Sequence, residues 1–494
     1  MQPRVAWVFS IALAMVLTTA GIVGVLWYTA HHFDPPAVIE VEKPDTFAAD
    51  RPWLFLVQFD GPVSPLLDVD EVSSSPEIPL QWQWSQDRTA LMVEALVRPR
   101  GGVEYRFEVG PFNIKDSFWA AAISLIRRDI TTLGDTTTLV GPGPVVSWTF
   151  SRPREDIIIA AGGDVLFDHL PRANLEQYGP DYILSSVLDH LRSADVAFAN
   201  LECPVGTAGE PIDGKNFTFQ GHPDGVEALR RGSIDIVSLA NNHTFDYGME
   251  GFLETLQLLR GVGIKYTGAG MDAQEALSPV VFDIKGRQVG FLAFNNGDVL
   301  PVTQWHHDLW RAGPDKPGVV FHEDRQQLFA AVKAARAQVD ILIVSMHWGY
   351  EYTTGPRDYQ RELGRSIIDA GADAIIGHHP HVPFGLEFHR GRPIIYSVGN
   401  LVWHPWDPEA FEGFIAILTL PEELGINTGE PGGSGVPPIG VKIVPIRNAD
   451  GRAVALTGEG ADAVIGLVEE RSRLLDPDLE FQRDGDTLLV LPSR

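Results

Sequence analysis

The chain has 494 residues, 44% of them hydrophobic, which is enough for two or three domains with their own cores. Its formal net charge of −27 repels nucleic acid, so the composition argues against a general nucleic-acid binder. The single cysteine, Cys203, excludes an internal disulfide. We expect Cys203 to be a small packing residue rather than a nucleophile, because no partner that would activate its thiolate can be assigned.

An uncharged run at the N-terminus, from Val5 to Ala30, predicts a transmembrane helix. At ~1.5 Å per residue it is long enough to cross a hydrocarbon core of ~30 Å. Trp7 and Trp27 lie near its two ends, as interfacial aromatics do, and Arg4 precedes it. We therefore expect a single-pass signal anchor in the cell membrane, with the N-terminus in the cytoplasm and the main body extracytoplasmic. A cleaved signal peptide and a buried helix are the alternatives.

Residues 51–151 alternate apolar and polar positions, for example in LQWQWSQDRTALMVEA and VEYRFEVG. A period of two is typical of half-buried antiparallel strands, so we predict a small β-sandwich. The same segments resemble the bacterial immunoglobulin-like modules of cell-surface proteins. FWAAAISLIRR (118–128) has a helical pattern and would be an insertion.

From residue 152 onward, short apolar runs alternate with helical periods, such as those over 249–260 and 325–338. This pattern predicts a layered α/β domain whose strands are covered on both faces. Six of the apolar runs end in polar, mostly metal-capable side chains. The runs are DIIIAAGGD (156–164), ADVAFANLE (194–202), IDIVSLANNH (234–243), VDILIVSMHWG (339–349), ADAIIGHHPH (372–381) and RPIIYSVGN (392–400).

Ligands bind at the carboxyl ends of strands in α/β sheets, so six such endings indicate one shared site. Any one of them alone is an ordinary polar turn, a helix cap or a solvated surface residue. The carboxylate, amide and imidazole donors at these endings suit a divalent cation, with Mn, Fe or Zn as the leading choices. The candidate metal-site residues are Asp164, Glu202, one of Asn241 and Asn242, His347, His379 and His381.

Three further residues are expected to act on the substrate. His243 would be an acid or a transition-state donor, Asp246 would orient its imidazole, and Glu351 would be a ligand or a base. Asn400 would hydrogen-bond within the site. His378 would point elsewhere if its neighbours in the His-Pro-His loop converge on the metal.

These segments together resemble the CapA family of capsule or poly-γ-glutamate synthesis proteins. The resembling stretches run from AGGDVLF through ANLECPV, the long FTFQGHPDGVEALRRGSIDIVSLANNHTFDYGMEGFLETLQLLRGVGIKYTGAG block, VSMHWGYEYT and GHHPHVPFGLE to IIYSVGNLVW. They cover residues 156–404 in the family's order. The resemblance implies a branch of the calcineurin-like metallophosphoesterase fold, a four-layer α/β sandwich with metals at the strand ends. It implies His243 as the catalytic histidine and the following metal-site residues: Asp164, Glu202, Asn242, His347, His379 and His381.

The chain departs from the broader metallophosphoesterases in two places. Their usual Asp-x-His is absent, because Val165 and Leu166 follow Asp164, and Glu202 stands where a bridging Asp is common. One metal ion and two metal ions both remain open. His169 takes the position of a basic residue that CapA-like chains often carry, and with Asn241 and Asn400 it is assigned to substrate binding.

The pattern divides the chain into five predicted segments. They are a cytoplasmic stub with the membrane helix (1–30), a linker (31–50), the immunoglobulin-like module (51–151), the CapA-like domain (152–450) and a C-terminal helix and tail (451–494).

The expected function is that of a membrane-anchored metal-dependent hydrolase in the synthesis or export of a capsule or poly-γ-glutamate-type polymer. A phosphoester is the first choice of substrate, and an amide of a γ-glutamyl polymer is the second. The alternative is a non-enzymatic assembly or export factor for an anionic surface polymer. The expected partners are the membrane and other proteins of polymer synthesis or export, with no nucleic acid.

Overall fold

The structure is a computed structural model in which the chain divides into two compact units, Met1–Arg154 and Glu155–Arg494. In the first unit it describes the strands together with residues 77 and 85–88. In the second it describes residues 156–295, 309–404, 406, 410–422, 424, 438–448 and 450–493. The predicted membrane segment, the predicted helix over 118–128 and most of the Gly- and Pro-rich stretch 421–438 lie outside these residues. Within the described ranges, no helix is long and apolar enough to cross a membrane.

All strand pairs described in the first unit are antiparallel, as the alternating pattern predicts. The strands are β1 (Val38–Glu42), β2 (Trp53–Phe59), β3 (Leu67–Val69), β4 (Val72–Ser75), β5 (Leu80–Trp84), β6 (Ala90–Ala95), β7 (Glu104–Val109), β8 (Phe112–Ile114) and β9 (Val146–Ser151). They form sheets in the orders β1-β2-β6-β5 and β4-β7-β9, with β3 paired to β8. Strand β1 lies within the predicted linker and pairs with β2, so part of 31–50 belongs to a sheet. The immunoglobulin likeness remains a prediction.

The second unit is built on two large mixed sheets. The first has the order β13-β12-β11-β10-β23-β24-β27-β26, with β22 beside β10 and β25 beside β24. Its strands are β10 (Ile157–Val165), β11 (Val196–Leu201), β12 (Ile236–Ser238), β13 (Lys265–Thr267), β22 (Asn400–Val402), β23 (Glu412–Leu420), β24 (Gly440–Arg447), β25 (Val454–Ala455), β26 (Glu480–Asp484) and β27 (Thr487–Leu491). Strands β10 to β13 and β22 run parallel, and the others pair antiparallel.

The second sheet has the order β15-β16-β18-β19-β21-β20, and a short separate pair joins β14 to β17. Its four central strands are parallel. The strands are β14 (Ala269–Gly270), β15 (Val280–Ile284), β16 (Arg287–Asn295), β17 (Gly318–Val319), β18 (Ile341–His347), β19 (Ala374–His378), β20 (Leu386–His389) and β21 (Arg392–Ile395).

All but the last of the helices described in the second unit lie on the outer faces of the two sheets, and the last packs into the core between them. The helices are α1 (His169–Tyr178), α2 (Leu188–Arg192), α3 (Gly225–Arg231), α4 (Gly248–Val262), α5 (Ala273–Leu277), α6 (Arg325–Arg336), α7 (Asp358–Asp369) and α8 (Glu459–Leu475). Helix α4 contains the stretch 249–260 that was expected to be helical, and α6 matches the other stretch but ends two residues before 338; each presents its apolar side to a sheet.

The strands are apolar throughout because each of their faces is buried in a different core. In β18, Ile341 and Ile343 point into the core between the two sheets, whereas Leu342 and Val344 point into the core under α6 and α7. A third core lies between the first sheet and helices α1 to α4. The result is a helix–sheet–sheet–helix arrangement, which confirms the predicted α/β class.

The C-terminus differs from the predicted helix and polar tail. Helix α8 is present, but β26 and β27 follow it and extend the first sheet beyond β24. Val464 and Val468 of α8 are buried in the core between the sheets, together with Leu488 of β27. The tail is therefore part of the core, although polar residues conceal this in the sequence.

Candidate metal centre

The strand register brings the polar endings together at the carboxyl edge of the two sheets. In the first sheet, Asp164 is level with Asn200 of β11 and with Asn400 of β22. In the second sheet, His347 of β18 is level with His378 of β19. Parallel strands end at the same edge, so these side chains face one another across the two sheets.

Close backbone contacts shape this edge. A Cβ on Gly163 would lie 1.9 Å from the carbonyl oxygen of Gly399, so only glycine fits beside Asp164. His379 and His381 have φ angles of 94° and 60°, in the left-handed region that non-glycine residues rarely adopt. Strain of this kind is characteristic of functional sites, where the surrounding structure holds it in place.

Two buried groups of donors meet at Glu202. Asp164, Glu202 and His347 form one group, and Glu202, His379 and His381 form the other. Within each group the donor atoms lie within 4.8 Å of one another. A carboxylate shared by two groups is suited to bridge two cations, and each group alone is suited to hold one.

Asp164 is held by contacts to both of its carboxylate oxygens. Oδ1 accepts a hydrogen bond from Asn200 Nδ2 at 2.8 Å and lies 3.2 Å from His378 Nδ1. Oδ2 lies 3.2 Å from His381 Nδ1 and accepts from the backbone N–H of His379. Burial would raise the pKa of Asp164, but the contacts with His378 and His381 hold it well below its usual value.

Glu202 is fully buried, and its Oε1 has no hydrogen-bond partner among the described residues. The nearest ring nitrogens are His347 Nε2 at 3.5 Å and His381 Nε2 at 3.8 Å. These distances fall within the range of an ion pair but give no hydrogen bond to Oε1. Burial, and after it the charge of Asp164, raise the pKa of Glu202 well above its usual value. Asn200 donates to the other oxygen, Oε2, at 3.2 Å, so Oε1 is the oxygen that a cation could compensate.

Two histidines of these donor groups, His379 and His347, are buried and have lowered pKa values. Neither ring nitrogen of His379 has a hydrogen-bond partner among the described residues. Burial, and after it the neighbouring His381, lower the pKa of His379 to about 3. His347 also has a pKa well below its usual value, mainly because it is buried, and its Nε2 lies 2.8 Å from Asn242 Oδ1. Buried polar atoms without partners are rare, and neutral imidazoles beside carboxylates fit a divalent cation.

His381 is oriented by Asn400. Its Nδ1 lies 3.0 Å from Asn400 Oδ1, while Nε2 is the nitrogen nearer Glu202. Burial alone would lower the pKa of His381, but the Asp164 carboxylate raises it above the ordinary value. An imidazole fixed through one nitrogen presents the other in a defined direction, which is the usual arrangement of metal-ligating histidines.

His243 lies beside this cluster and is anchored through Nδ1. Asp246 Oδ2 is 2.6 Å from that nitrogen, and Lys215 Nζ is 3.0 Å from it. Lys215 also forms an ion pair with Asp246 and donates to the backbone carbonyl of Asn242. Burial lowers the pKa of His243, and the charge of Lys215 lowers it further. The contacts at Nδ1 leave Nε2 as the nitrogen that Asp246 does not engage.

A cavity of about 580 Å³ opens next to these residues. Asn242, His243 and His381 line it, together with Lys215, Glu351 and several aromatic side chains. Glu351 is exposed at this cavity and is not among the buried donors, although its charge acts on Glu202. This position favours contact with a bound molecule over metal ligation.

Asn241 and Asn400 were assigned to substrate binding, and that assignment stays a prediction. Neither residue lines the described cavity, both are buried, and the oxygen and nitrogen of each amide have partners within the protein. Asn241 donates to Asn200 Oδ1 and to the carbonyl of Leu201, and it accepts from the His243 backbone N–H. Asn241 therefore builds the turn that presents Asn242 and His243.

The structure also places His169, Cys203 and His378, each of which has its own prediction from the sequence. His169 is exposed outside the cavity lining, next to the ring of Trp406, which does line the cavity. Cys203 is buried, and burial raises the pKa of its thiol, which favours the predicted packing role. The expectation that His378 points away from the site is wrong, because its Nδ1 lies against Asp164.

Two residues of the site carried no prediction. Asn200 Nδ2 lies within hydrogen-bond distance of Asp164, Glu202 and His347, so it links the two sheets. Asn200 belongs to the strand-end motif Asn-Leu-Glu, and this position could have identified it as a residue of the site. Lys215 lies in a loop without periodicity, and no local pattern connects it with His243.

Comparison with known proteins places these residues in a family. The family described as "Bacterial capsule synthesis protein PGA_cap" matches residues 158–404, half of the chain. "Capsule biosynthesis protein CapA" of Bacillus anthracis is 28% identical over 258 residues, covering 51% of this chain and 61% of that protein. "PGA biosynthesis protein CapA" of Bacillus subtilis (strain 168) is 31% identical over 252 residues, covering 50% and 64%. A "Probable polyglutamine synthesis accessory protein" of Mycobacterium tuberculosis is 35% identical over 218 residues, covering 42% and 56%. The chain thus spans less than two thirds of the length of each of these curated relatives.

Similar solved structures include a "novel phosphatase" of Mycoplasma pneumoniae, with a TM-score of 0.34 and 15% identity, covering 61% of this chain and 93% of that one. A purple acid phosphatase of yellow lupin has a TM-score of 0.30 and 8% identity, covering 85% and 74%. Likeness at this level establishes neither fold nor activity. The match over residues 158–404, with the strand-end motifs inside it, shows that the chain belongs to the bacterial capsule synthesis protein PGA_cap family.

Proposed function

We propose that this protein is a metal-dependent hydrolase of phosphoesters that acts in the synthesis or export of a capsule or poly-γ-glutamate-type surface polymer. One observation carries the proposal: two buried donor groups share Glu202, and Glu202 Oε1 and both nitrogens of His379 lack partners among the described residues. Such an arrangement is costly without a cation, because buried polar atoms lose water and gain nothing in return. The family membership supports the link to surface polymers, and the helix–sheet–sheet–helix arrangement supports a fold of metallophosphoesterase type.

The residues present fit one or two divalent ions. Asp164, Asn242 and His347 would hold one ion, His379 and His381 would hold a second, and Glu202 would contribute to both. Mixed oxygen and imidazole donors suit Mn, Fe or Zn. When bound, such an ion supplies Lewis-acid polarisation of the phosphoryl group.

The chain's own residues supply the proton chemistry and the positioning. His243 borders the cavity, and its Nε2 is free of the contacts that anchor Nδ1, so it would carry a proton to the leaving oxygen. Asp246 keeps the ring in one orientation, as the third group of a nucleophile–base system does. Lys215 pairs with Asp246 and lies 3.0 Å from His243 Nδ1, so it helps to hold the ring that would carry the proton.

We propose that the body of the protein works outside the cytoplasm, held by an uncleaved membrane helix over residues 5–30. The support is the uncharged sequence of that segment and its aromatic flanks.

A second candidate is a non-enzymatic role in polymer assembly or export. A Mycobacterium tuberculosis relative is named a synthesis accessory protein, which favours this reading. Under it the metal would stabilise the edge of the sheets without turnover.

The first test is the metal content of the full chain, purified in detergent and analysed for transition metals. The wild type is expected to hold one or two equivalents, and the double variant His379→Ala, His381→Ala is expected to lose them. His389→Ala is the matched control, because His389 pairs with Asp369 at the surface and should retain the metal. Absence of metal from the wild type, even after supplementation, would overturn the proposal.

The second test separates the two candidates. His243→Ala should keep its metal but lose hydrolysis of phosphoesters, because His243 is not among the donors. Cells carrying this variant should also lose polymer export if hydrolysis is the function. Unchanged export with metal still bound would favour the assembly role.

A further inference from the structure

The cavity beside His243 has an aromatic wall formed by Phe219, Trp403 and Trp406. The ring of Phe219 lies 4.6 Å from that of His243 and stacks on Trp406 at 5.4 Å. Trp403 lies 4.3 Å from the ring of His381. The aromatic wall therefore extends from the proposed proton donor and from a metal ligand toward the surface.

The mouth of the cavity exposes further apolar rings. Phe217 is 69% exposed, Tyr350 is 46% exposed and Trp406 is 44% exposed, and all three line the cavity. They are three of nine large exposed hydrophobic side chains among the described residues. Exposed apolar rings that gather around one opening mark a binding surface, whereas single ones scattered over a protein need no explanation.

The charges at the cavity disfavour an anionic leaving group. Lys215 is the only lysine or arginine of the described lining, and its ammonium is already engaged by Asp246. Glu351 adds an exposed carboxylate to the same lining. Arg357 lies over the face of Tyr350 at 4.7 Å and does not line the cavity. At the mouth, beyond the residues that would hold metal, a second phosphate or a carboxylate on the substrate would meet the Glu351 carboxylate. No lysine or arginine of the described lining is free to pair with that added charge.

We propose that the leaving group of the phosphoester is an uncharged sugar ring, which stacks on the aromatic wall. The inference rests on the proposed phosphoester hydrolysis and specifies its substrate class. An aromatic face packs against the apolar face of a pyranose, and the Glu351 carboxylate and the Asn216 amide at the same mouth suit paired hydroxyl groups. The same argument disfavours a γ-glutamyl chain, which has one carboxylate on each residue.

The proposed reaction balances with water as the only co-reactant. The bond between phosphorus and the sugar oxygen breaks, and phosphorus gains the oxygen of water. One proton of that water ends on the sugar oxygen, carried by His243 Nε2, and the sugar leaves with a free hydroxyl group.

The test compares four phosphoesters on the metal-loaded full chain: a hexose 1-phosphate, glycerol 3-phosphate, 3-phosphoglycerate and adenosine 5′-monophosphate. The hexose ester is expected to have the highest kcat/KM, and 3-phosphoglycerate should fall below glycerol 3-phosphate because it differs from it by a carboxylate. Trp406→Ala should raise KM for the hexose ester about tenfold relative to glycerol 3-phosphate, which is the loss of one good aromatic contact. Tyr178→Ala removes an exposed aromatic that does not line the cavity, and this control should leave the ratio unchanged.

A second readout does not depend on turnover. Ligand-observed NMR on the metal-free protein should show saturation transfer from the protein to the ring protons of the hexose ester. The Trp406→Ala variant should abolish this transfer. Hydrolysis of glycerol 3-phosphate with no preference for the hexose ester and no effect of Trp406→Ala would overturn the sugar proposal and leave the hydrolase intact. Preference for adenosine 5′-monophosphate would also overturn it, in favour of a nucleobase. No hydrolysis of any ester by metal-loaded protein would instead overturn the proposed function, and with it the sugar proposal.

Discussion

Lys215 carries its charge into the protein next to His243, with only 6% of its side chain exposed. Its ammonium lies among the carboxylate of Asp246, the carbonyl of Asn242 and the imidazole of His243. Asp246 is fully buried and also accepts from the backbone N–H of Phe219. The Lys215–Asp246 pair therefore connects the loop that carries Lys215 with the Asn242 turn and the His243 ring. A buried ion pair of this kind stabilises little in net terms, but losing one partner leaves the other uncompensated.

Replacing this lysine by methionine is predicted to destabilise the protein by roughly 3–5 kcal/mol, because Asp246 would keep a buried charge without its partner. Urea unfolding with metal removed measures the change, so that metal binding does not mask it. Lys442→Met is the matched control, since Lys442 pairs with Asp484 at the surface and should cost about 0–1 kcal/mol. Equal unfolding midpoints for the two variants would contradict the role assigned to Lys215.

At the scale of the elements, the Gly-Gly-Asp ending of β10 is where this strand changes its pairing partner next to the site. Strand β10 pairs with β23 along its first half and with β22 at its end. The change of partner requires the backbones of Gly163 and Gly399 to approach closely, and the N–H of Asp164 donates to the Gly399 carbonyl at 3.1 Å. Strand β22 begins at Asn400, which orients His381. A side chain at 163 would therefore disturb the site through the backbone.

Gly163→Ala is expected to lower metal affinity at least tenfold and to destabilise the fold by roughly 1–3 kcal/mol or more, because overpacked backbone has to move. Calorimetric metal titration and urea unfolding measure the two effects. In Gly466→Ala, on an exposed turn of α8, the new methyl meets no atom within 4 Å. That variant should gain about 0.5–1 kcal/mol from helix propensity and keep its metal. Wild-type metal affinity in Gly163→Ala would show that β22 tolerates the displacement.

The same elements show what a sequence can reveal about this site. Strands that are buried on both faces appear in the sequence as apolar runs. The ends of these runs mark the carboxyl ends of the strands, so the positions of Asp164, Glu202 and His347 at the sheet edge could be predicted from the sequence. The direction of a side chain at or after a strand end depends on φ and ψ, which the sequence does not give, and this is why the expectation for His378 was wrong. Lys215 reaches the site from a distant loop that has no periodic signal. The edge strand Glu480–Asp484 is largely exposed and polar, so its sequence resembles that of a polar tail.

At the scale of the whole molecule, the second unit contains three hydrophobic clusters of its own. All residues of the three hydrophobic clusters lie between Ile157 and Val490. The core between the two sheets depends on the C-terminus, because Leu479, Leu488 and Val490 are buried in it. Strand β27 also pairs with β24, with Val490 opposite Val441. The site at the carboxyl edge therefore depends on residues that follow it by about a hundred positions, through the sheet they complete.

This dependence predicts opposite fates for two fragments. Residues 155–494 should fold and bind metal, because they contain every core cluster and every donor. Residues 155–475 lack β26 and β27, so they lose the burial of three large apolar side chains at about 1.5–3 kcal/mol each and leave the edge of β24 open. We expect this shorter fragment to aggregate or to show no cooperative unfolding. Circular dichroism, size-exclusion chromatography and metal analysis of both fragments measure the outcome. If the fragment 155–475 folds and binds metal, the two terminal strands are not required for the stability of the sheet. If the fragment 155–494 is unfolded, the second unit needs the first unit in order to fold.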